Sequence, residues 1–288
     1  TLSSVGGTSI VSTGTGPALS ILGVTGSNLL EVVTTGTTFA LNNRCILVSD
    51  SGGNKPPTLQ SATLTSLNGV SIGPGASVSG NSGIAIGDTV VSLGASTIII
   101  GSNSSNNSAS ATGTIIIGNG SAALGTDTNR ISIGTGISCS GSAAITIGSA
   151  CSSAAANAVV FGTSASAGIA GTDGVAIGSS AATNNPRGIA IGKSSTAGQS
   201  DTIAIGNTAA ATVASAIAIG INSLASGQHS IAIGATYGAF AQATALDSCA
   251  IGPDASATGI RALVIGPANV TRASVTAADA IGCGTDVT

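Results

Sequence analysis

The chain has 288 residues and a formal net charge of −3, and only 6% of its residues are charged and 1% aromatic. An ordinary globular domain carries about 25% charged residues. Nucleic-acid binding needs basic patches and stacking rings, so this composition argues against it. The sequence has no apolar run of the roughly 18 residues that a spanning helix needs, and no membrane insertion is predicted for this segment. Because the sequence contains no Met, we expect it to be a processed form or a fragment.

Residues 1–49 are predicted to form a small β-domain, because short strand-like runs alternate with turns rich in Gly, Thr, Ser and Asn. Residues 50–68 follow as a predicted linker, since Asp50–Pro57 (DSGGNKPP) is dense in Gly and Pro. The rest of the sequence, residues 69–288, is periodic. A fixed short period predicts a single repeat domain.

The periodic part repeats a four-residue element with the pattern apolar-small-apolar-Gly. Between Gly188 and Gly234 the tetrapeptide Ile-Ala-Ile-Gly occurs four times at a constant 14-residue spacing. Other copies follow at the same or a slightly longer spacing and never at a shorter one, which indicates 14-residue coils with loop insertions. The last copy is imperfect, because Asp279 takes its first apolar position. The fifteen elements end at Gly73, Gly87, Gly101, Gly118, Gly134, Gly148, Gly162, Gly178, Gly192, Gly206, Gly220, Gly234, Gly252, Gly266 and Gly282.

Each element is predicted to be a β-strand. The two residues that flank its middle position share one face of a strand, as Ile203 and Ile205 do. Ile and Val favour strands because β-branching stiffens χ1, and the Gly permits a turn with positive φ. The small polar residues in the second half of each coil suit turns and a second strand. The sequence therefore predicts an all-β solenoid of about fifteen coils, with the flanking pairs in its core.

The middle residue of each element points away from the two flanking residues. It is Ala in eight elements and Ile or Val in four more, so stacked coils would carry a second apolar ladder. Single Ala residues on a surface need no explanation, but an apolar stripe of this length is not normally left in water. We therefore predict that the middle residues form a self-association face. The candidate interface residues are Ala85, Ile99, Ile116, Val160, Ala176, Ala190, Ala204, Ala218, Ala232 and Ala250.

Two stretches, Ser230–Gly234 (SIAIG) and Gly174–Ala182 (GVAIGSSAA), resemble the 14-residue head repeat of trimeric autotransporter adhesins, the YadA-like head. In the second stretch Gly174 replaces the leading Ser of that repeat. The resemblance covers about residues 70–282. It implies a left-handed parallel β-roll, a homotrimer of chains side by side, and an extracellular adhesin with a host-surface or extracellular-matrix receptor. The stretch GGTSIVSTGTGPALSILGVTG is similar to N-terminal segments of virus and phage fibre proteins.

Two of the insertions that lengthen the period are notable. Ser102–Thr112 is polar and is predicted to be a projecting loop, and Ala235–Ser248 is the longest insertion. The second insertion carries Tyr237 and Phe240, which are half of the aromatic residues in the chain. Because functional residues concentrate on loops held by a rigid scaffold, both are candidates for ligand contact. The alternative is a packing plug over an enlarged coil.

No catalytic residue, cofactor or metal site is predicted. His229, the only His, lies just before an element without a Gly-x-Ser-x-Gly elbow, and is predicted to be a solvent-facing turn residue. The five Cys residues show no zinc-site spacing. Cys139 and Cys151 lie in adjacent coils, where a disulfide between them stays an open alternative. Cys249 occupies a flanking position and is predicted to be a buried hydrophobic residue.

These features leave two hypotheses for function. The first is a non-enzymatic trimeric surface fibre or adhesin segment, a rigid rod for extracellular attachment to a host or surface. The second is a purely structural filament, or a virion or phage fibre subunit, without a receptor site of its own. Both hypotheses place the chain outside the cell, on a cell surface or a virion surface.

Overall fold

The computed structural model of the chain is a parallel β-solenoid. Each coil contributes one strand to sheet A and one to sheet B, and each sheet contains fifteen parallel strands in chain order. The predicted all-β solenoid of stacked coils is therefore confirmed. The predicted N-terminal domain lies outside the described residues. The structure describes residues 63–64, 69–126, 128–168, 170–236, 239–266 and 274–283.

Sheet B contains the longer strands, of three or five residues. They are β2 (Val70–Ile72), β4 (Ile84–Asp88), β6 (Ile98–Ser102), β8 (Ile115–Asn119), β10 (Ile131–Thr135), β12 (Ile145–Ser149), β14 (Val159–Thr163), β16 (Val175–Ile177), β18 (Ile189–Ile191), β20 (Ile203–Ile205), β22 (Ile217–Ile219), β24 (Ile231–Ile233), β28 (Cys249–Ile251), β30 (Leu263–Ile265) and β32 (Ile281–Cys283).

Sheet A contains strands of two residues. They are β1 (Thr63–Leu64), β3 (Ser77–Val78), β5 (Val91–Ser92), β7 (Ser105–Asn106), β9 (Ala122–Ala123), β11 (Ser138–Cys139), β13 (Ser152–Ser153), β15 (Ser166–Ala167), β17 (Ala182–Thr183), β19 (Thr196–Ala197), β21 (Ala210–Ala211), β23 (Leu224–Ala225), β27 (Gln242–Ala243), β29 (Ser256–Ala257) and β31 (Ser274–Val275). Strand β1 lies inside the predicted linker and pairs with β3, so sheet A begins earlier than predicted. Strands β25 (Ala235–Thr236) and β26 (Ala239–Phe240) form a separate antiparallel hairpin.

The constant spacing of the repeat puts equivalent residues of successive coils side by side. Ile203 pairs with Ile217 and Ala204 pairs with Ala218. The corners are joined in the same way, since backbone hydrogen bonds connect turn residues of neighbouring coils. With strands about 4.8 Å apart, each sheet extends for roughly 70 Å along the stack. Every coil is thus bonded to its chain neighbours through both sheets and the corners.

The interior between the two sheets is filled mainly by small side chains. The middle residue Ala204 of sheet B and Ala211 of sheet A are fully buried in one cluster. The flanking residues Ile203 and Ile205 are only half-buried and point outward. This reverses the predicted faces, because an alternation of period two does not specify which face is inside. The two short strands of a coil enclose a narrow space, which suits Ala better than pairs of Ile.

The predicted self-association face is therefore wrong. Every candidate interface residue is a middle residue of sheet B, and each is fully buried within a single chain. A side chain with no exposed surface in one chain has none left to bury against another. The residues concerned are Ala85, Ile99, Ile116, Val160, Ala176, Ala190, Ala204, Ala218, Ala232 and Ala250.

The Gly that ends each element is required by the close stacking of the backbone. Gly87 has a φ of +136°, and a Cβ atom added there would overlap the carbonyl oxygen of Gly101 in the next coil. Gly206 has a φ of +139° and would overlap the carbonyl oxygen of Gly220. Both the left-handed conformation and the missing space exclude a side chain at these positions.

The last element lies two residues later than the sequence pattern indicates. Ile281 pairs with Leu263 and Gly282 pairs with Val264, so Gly282 occupies a middle position. Asp279 is consequently a turn residue, with a φ of 58°, and not the first residue of a strand. The spacing between the last two elements is therefore two residues longer than predicted. The predicted pattern failed here because Gly at a middle position mimics the Gly that ends an element.

The polar stretch Ser102–Thr112 is not one projecting loop. Ser104 and Asn106 are fully buried inside the coil. The Asn106 Nδ2 atom donates to the Ala111 carbonyl at 2.8 Å and to the Thr97 hydroxyl at 3.2 Å. These hydrogen bonds satisfy polar side chains in the interior, which composition alone does not reveal. The insertion is confined to the turn after β7.

Candidate interaction surface

The first and third residues of the sheet-B strands form an outward apolar surface, called here the isoleucine face. Ile100 is 38% exposed and Phe161 52% exposed in the single chain. Its two columns are about 7 Å apart and run for roughly 70 Å, as strand geometry requires. A contiguous apolar strip of several hundred Å² marks an interaction site rather than an ordinary surface. The sequence contained this signal, but the two faces of the strand were assigned the wrong way round.

A second column lies two positions before each sheet-B strand and is called here the turn column. All of its described members are turn residues with positive φ, between 53° and 63°. Up to Asn157 the described members are uncharged. The structure describes ten charged side chains, and six of them lie in the remainder of this column. From there on its members are Asp173, Arg187, Asp201, Ser215, His229, Asp247, Arg261 and Asp279.

Ion pairs join neighbouring members of the turn column. Arg187 donates from Nε and Nη2 to the two carboxylate oxygens of Asp201, at 2.5 and 2.8 Å. Arg261 donates to Asp279 in the same bidentate way, at 2.5 and 2.7 Å. The hydrogen bond from each Arg lowers the pKa of its Asp partner below the ordinary value. All four side chains are about half exposed, so these pairs lie on the surface.

The same column contains two weaker polar contacts. His229 Nδ1 lies 3.0 Å from Asp247 Oδ1, and the His side chain is about half exposed. Asn157 Nδ2 donates to Asp173 Oδ1 at 3.0 Å. The prediction that His229 is a solvent-facing turn residue is confirmed. Its acidic neighbour was not predicted, although His229 and Asp247 both lie two positions before a sheet-B strand.

A family model, described as the YadA head domain repeat, matches five segments of the chain. They are residues 65–88, 170–195, 184–209, 214–236 and 238–269. These segments carry coils whose strands, register and outward pairs have just been described. The chain carries YadA-like head repeats. No match was found among curated proteins.

The head repeats are interrupted by the hairpin β25–β26. Its base is closed by the Ala241 amide, which donates to the Gly234 carbonyl at 3.0 Å. The structure thus confines the insertion to the hairpin itself, because Gln242 and Ala243 already belong to sheet A as β27. The ligand-contact candidate Phe240 lies at the end of the hairpin and is half-buried. The other candidate, Tyr237, lies outside the described residues, and ligand contact by either stays a prediction.

The cysteines of the solenoid that the structure describes occupy different environments. Cys139 and Cys151 are both buried and free, and Cys139 lies beside Ser153 in the neighbouring strand. Cys249 pairs in register with Ile231 and therefore lies on the isoleucine face. It is only half-buried, so the prediction of a core position is wrong, although its partial burial raises the pKa of the thiol.

Within the described residues, no group of three or more His, Cys, Asp or Glu side chains is arranged to hold a metal ion. The same part of the chain contains no helix that is long and apolar enough to cross a membrane. The family of the head repeat is an adhesin structural family rather than an enzyme family.

Proposed function

We propose that this chain is a non-enzymatic segment of a trimeric surface fibre that attaches its bearer to a host or surface outside the cell. The match to the YadA head domain repeat supports the adhesin-like fibre. The observation that carries the trimer is the isoleucine face, since a long apolar strip needs a partner. Three identical chains that bury this face against one another would leave sheet A, with its small polar residues, directed outward.

The mechanism proposed is mechanical and multivalent. Stacked coils bonded through two sheets form a stiff support, and three chains present each surface site in three copies. Weak individual contacts to a receptor then gain avidity through effective concentration. The hairpin with Phe240 is a proposed receptor contact, because it interrupts an otherwise regular surface.

Analytical ultracentrifugation of the full chain at micromolar concentration tests the trimer. We expect a trimer for the natural sequence and a monomer for the double variant Ile205→Lys/Ile219→Lys, whose charges would be buried in the interface. Ile221→Lys serves as the matched control, because Ile221 is 44% exposed but lies in a turn off the isoleucine face. A natural chain that sediments as a monomer would contradict the proposal.

Binding to cultured host cells and to immobilised matrix proteins tests attachment. We expect the trimer to bind and Phe240→Ser to weaken this binding without changing the oligomeric state. Avidity also predicts that the Ile205→Lys/Ile219→Lys monomer binds at least about 100-fold more weakly than the trimer. If the monomer binds as tightly as the trimer, the multivalent mechanism is wrong.

A further inference from the structure

Between Asp173 and Ala257 the interior is similar in successive coils, and Val264, Val275 and Gly282 depart from it only in the last coils. The middle residue is Ala in successive coils, and the buried residue of sheet A is also mostly Ala. The outward pairs are Ile in most of these coils as well. Stacking one coil on the next but one would therefore reproduce nearly every apolar contact. The fully buried residues that repeat in this way are Ala190, Ala204, Ala218, Ala232, Ala197, Ala211, Ala225 and Ala243.

The coils before Asp173 have a varied interior. Ile99 and Ile116 occupy middle positions, Asn106 replaces Ala in sheet A, and Ile137 fills a corner. Arg130 is fully buried and donates from Nη1 to two carbonyl oxygens, at 2.6 and 2.9 Å. Because close packing requires matched volumes, these side chains fit only the neighbours they have. The register of these coils, called the N-terminal coils (residues 70–163), is specified by packing.

The turn column has the opposite distribution. It is uncharged in the N-terminal coils and charged in the C-terminal coils (residues 173–283), where the interior is mostly Ala. Its signs alternate: Asp173, Arg187 and Asp201 follow one another in three successive coils, and each Arg contacts the next Asp. Arg261 repeats the arrangement between two further Asp residues. The turn column is thus charged in those coils where interior packing does not specify the register.

Three members of the turn column are not of the residue types that the backbone prefers. Arg187 has a φ of 55°, Arg261 a φ of 56° and His229 a φ of 57°. The left-handed region suits Gly, Asn and Asp, whereas a long side chain adopts it at a cost. Turn geometry alone therefore gives no reason for Arg at these positions. Charge does, since each Arg lies between two carboxylates.

We propose that the charged turn column sets the stacking register of the C-terminal coils, so that each coil docks on its chain neighbour and not on the coil beyond it. A coil that carries one of the two Arg residues, if it is skipped during folding, brings two Asp residues together. Skipping the coil of Arg187 would place Asp173 beside Asp201, and skipping that of Arg261 would place Asp247 beside Asp279. Like charges at neighbouring positions repel one another, and the alternation therefore disfavours the wrong register.

The column has one gap, at Ser215. This residue separates Asp201 from His229 and contributes no charge, so the coils on either side of it have the weakest register signal. We expect the coil around Ser215 to be left out of the stack more often than any other coil in misregistered molecules. The position of the error along the chain is therefore a specific consequence of the proposal.

Hydrogen exchange with mass spectrometry on the refolded full chain tests the proposal. A skipped coil is not bonded into either sheet, so its amides exchange fast and peptides that cover it show two isotope populations. We expect the neutral variant Asp173→Ser/Arg187→Ser/Asp201→Ser to show a fast-exchanging population over residues 174–216 at least about five-fold larger than the natural chain, which is the ratio that roughly one kcal/mol produces. Serine is compatible with this turn, because Ser215 has a φ of 58° in the same column.

The matched control is the inverted variant Asp173→Arg/Arg187→Asp/Asp201→Arg, which changes each charge but keeps the alternation. We expect it to resemble the natural chain. If the neutral variant exchanges like the natural chain, or if the inverted variant exchanges like the neutral one, the alternation does not set the register and the proposal is wrong.

A second measurement needs no variant that could fail to fold. Refolding the natural chain in about 1 M NaCl shortens the Debye length to about 3 Å and weakens exposed ion pairs. We expect the fast-exchanging population to increase in the C-terminal coils and not in the N-terminal coils, which serve as an internal control. An equal change in both regions, or none in either, would overturn the proposal.

A substitution at the gap in the turn column gives a further test. Ser215→Arg should decrease the fast-exchanging population around residue 215, and Ser215→Asn should not.

Discussion

The N-terminal and the C-terminal coils have the same backbone register but differ in what fills them. In the first region the interior holds Ile, Asn and a buried Arg130, and the turn column is neutral. In the second region the interior is mostly Ala, and the turn column is charged. The comparison teaches that a repeat fold can specify its stacking through interior volume or through surface charge.

The Gly residues that end the sheet-B elements differ between the two regions in how closely the next coil approaches them. A Cβ at Gly87 would lie closer to the carbonyl oxygen of the next coil than a Cβ at Gly206 does. We expect Gly87→Ala to lower the free energy of unfolding of its coil by about 4 kcal/mol. Gly206→Ala should cost about 2 kcal/mol, because the backbone strain is the same but the overlap with the next carbonyl is smaller. Native-state hydrogen exchange of the substituted coils measures both, and equal losses would show that the glycines are equally crowded.

The buried Arg130 has no equivalent in the C-terminal coils that the structure describes. Its guanidinium donates to the carbonyls of Leu124 and Cys139, which would lose this donor in Arg130→Ala. We expect that variant to lower the free energy of unfolding by about 3 kcal/mol, through unsatisfied acceptors and a cavity. The control is Thr202→Ala, which changes the equivalent position of a C-terminal coil and should cost about 1 kcal/mol. Urea denaturation followed by circular dichroism compares the two, and a larger loss for Thr202→Ala would contradict the prediction.

A loss of interior volume should destabilise the N-terminal coils, and a gain of volume should destabilise the C-terminal coils. Ile116 and Ala218 are both fully buried middle residues of sheet B. Ile116→Ala should destabilise its coil by about 3 kcal/mol because it leaves a cavity. Ala218→Ile should destabilise its coil by about 2 kcal/mol because the Ala-lined interior has no room for the larger side chain. Hydrogen exchange of the two coils provides the measurement. If Ala218→Ile is neutral, the C-terminal interior is not close-packed.

The smallest effect concerns pH and the charged turn column. Hydrogen bonds from Arg187 and Arg261 lower the pKa values of Asp201 and Asp279 below the ordinary 3.8. A carboxylate with a lowered pKa in the folded state stabilises the fold above its ordinary pKa, and this contribution is lost as the pH falls through the lowered value. The urea midpoint of the natural chain should therefore exceed that of Asp201→Ser/Asp279→Ser at pH 6. The difference should shrink as the pH falls through the lowered pKa values, and a difference that is the same at every acid pH would rule out these ion pairs as its cause.

The sequence by itself determined the repeat architecture of this protein. Gly at a constant 14-residue spacing requires close stacking of backbones, and Ile on both sides of a small residue requires a strand with two different faces. These features are local, so they can be read from residue spacing alone. Residue spacing also placed His229 in a turn.

Only the tertiary structure decided which face of each strand is inside. The alternation in Ile203–Ile205 is the same whether the Ile pair or the Ala between them is buried, and the narrow space between the sheets admits the Ala. The structure also decided the register of the last element, because Ile281 and not Asp279 pairs with Leu263 of the preceding sheet-B strand. The charged turn column became visible for the same reason. Its members lie a full coil apart in the chain, as Arg187 and Asp201 do, and stacking alone brings them into contact.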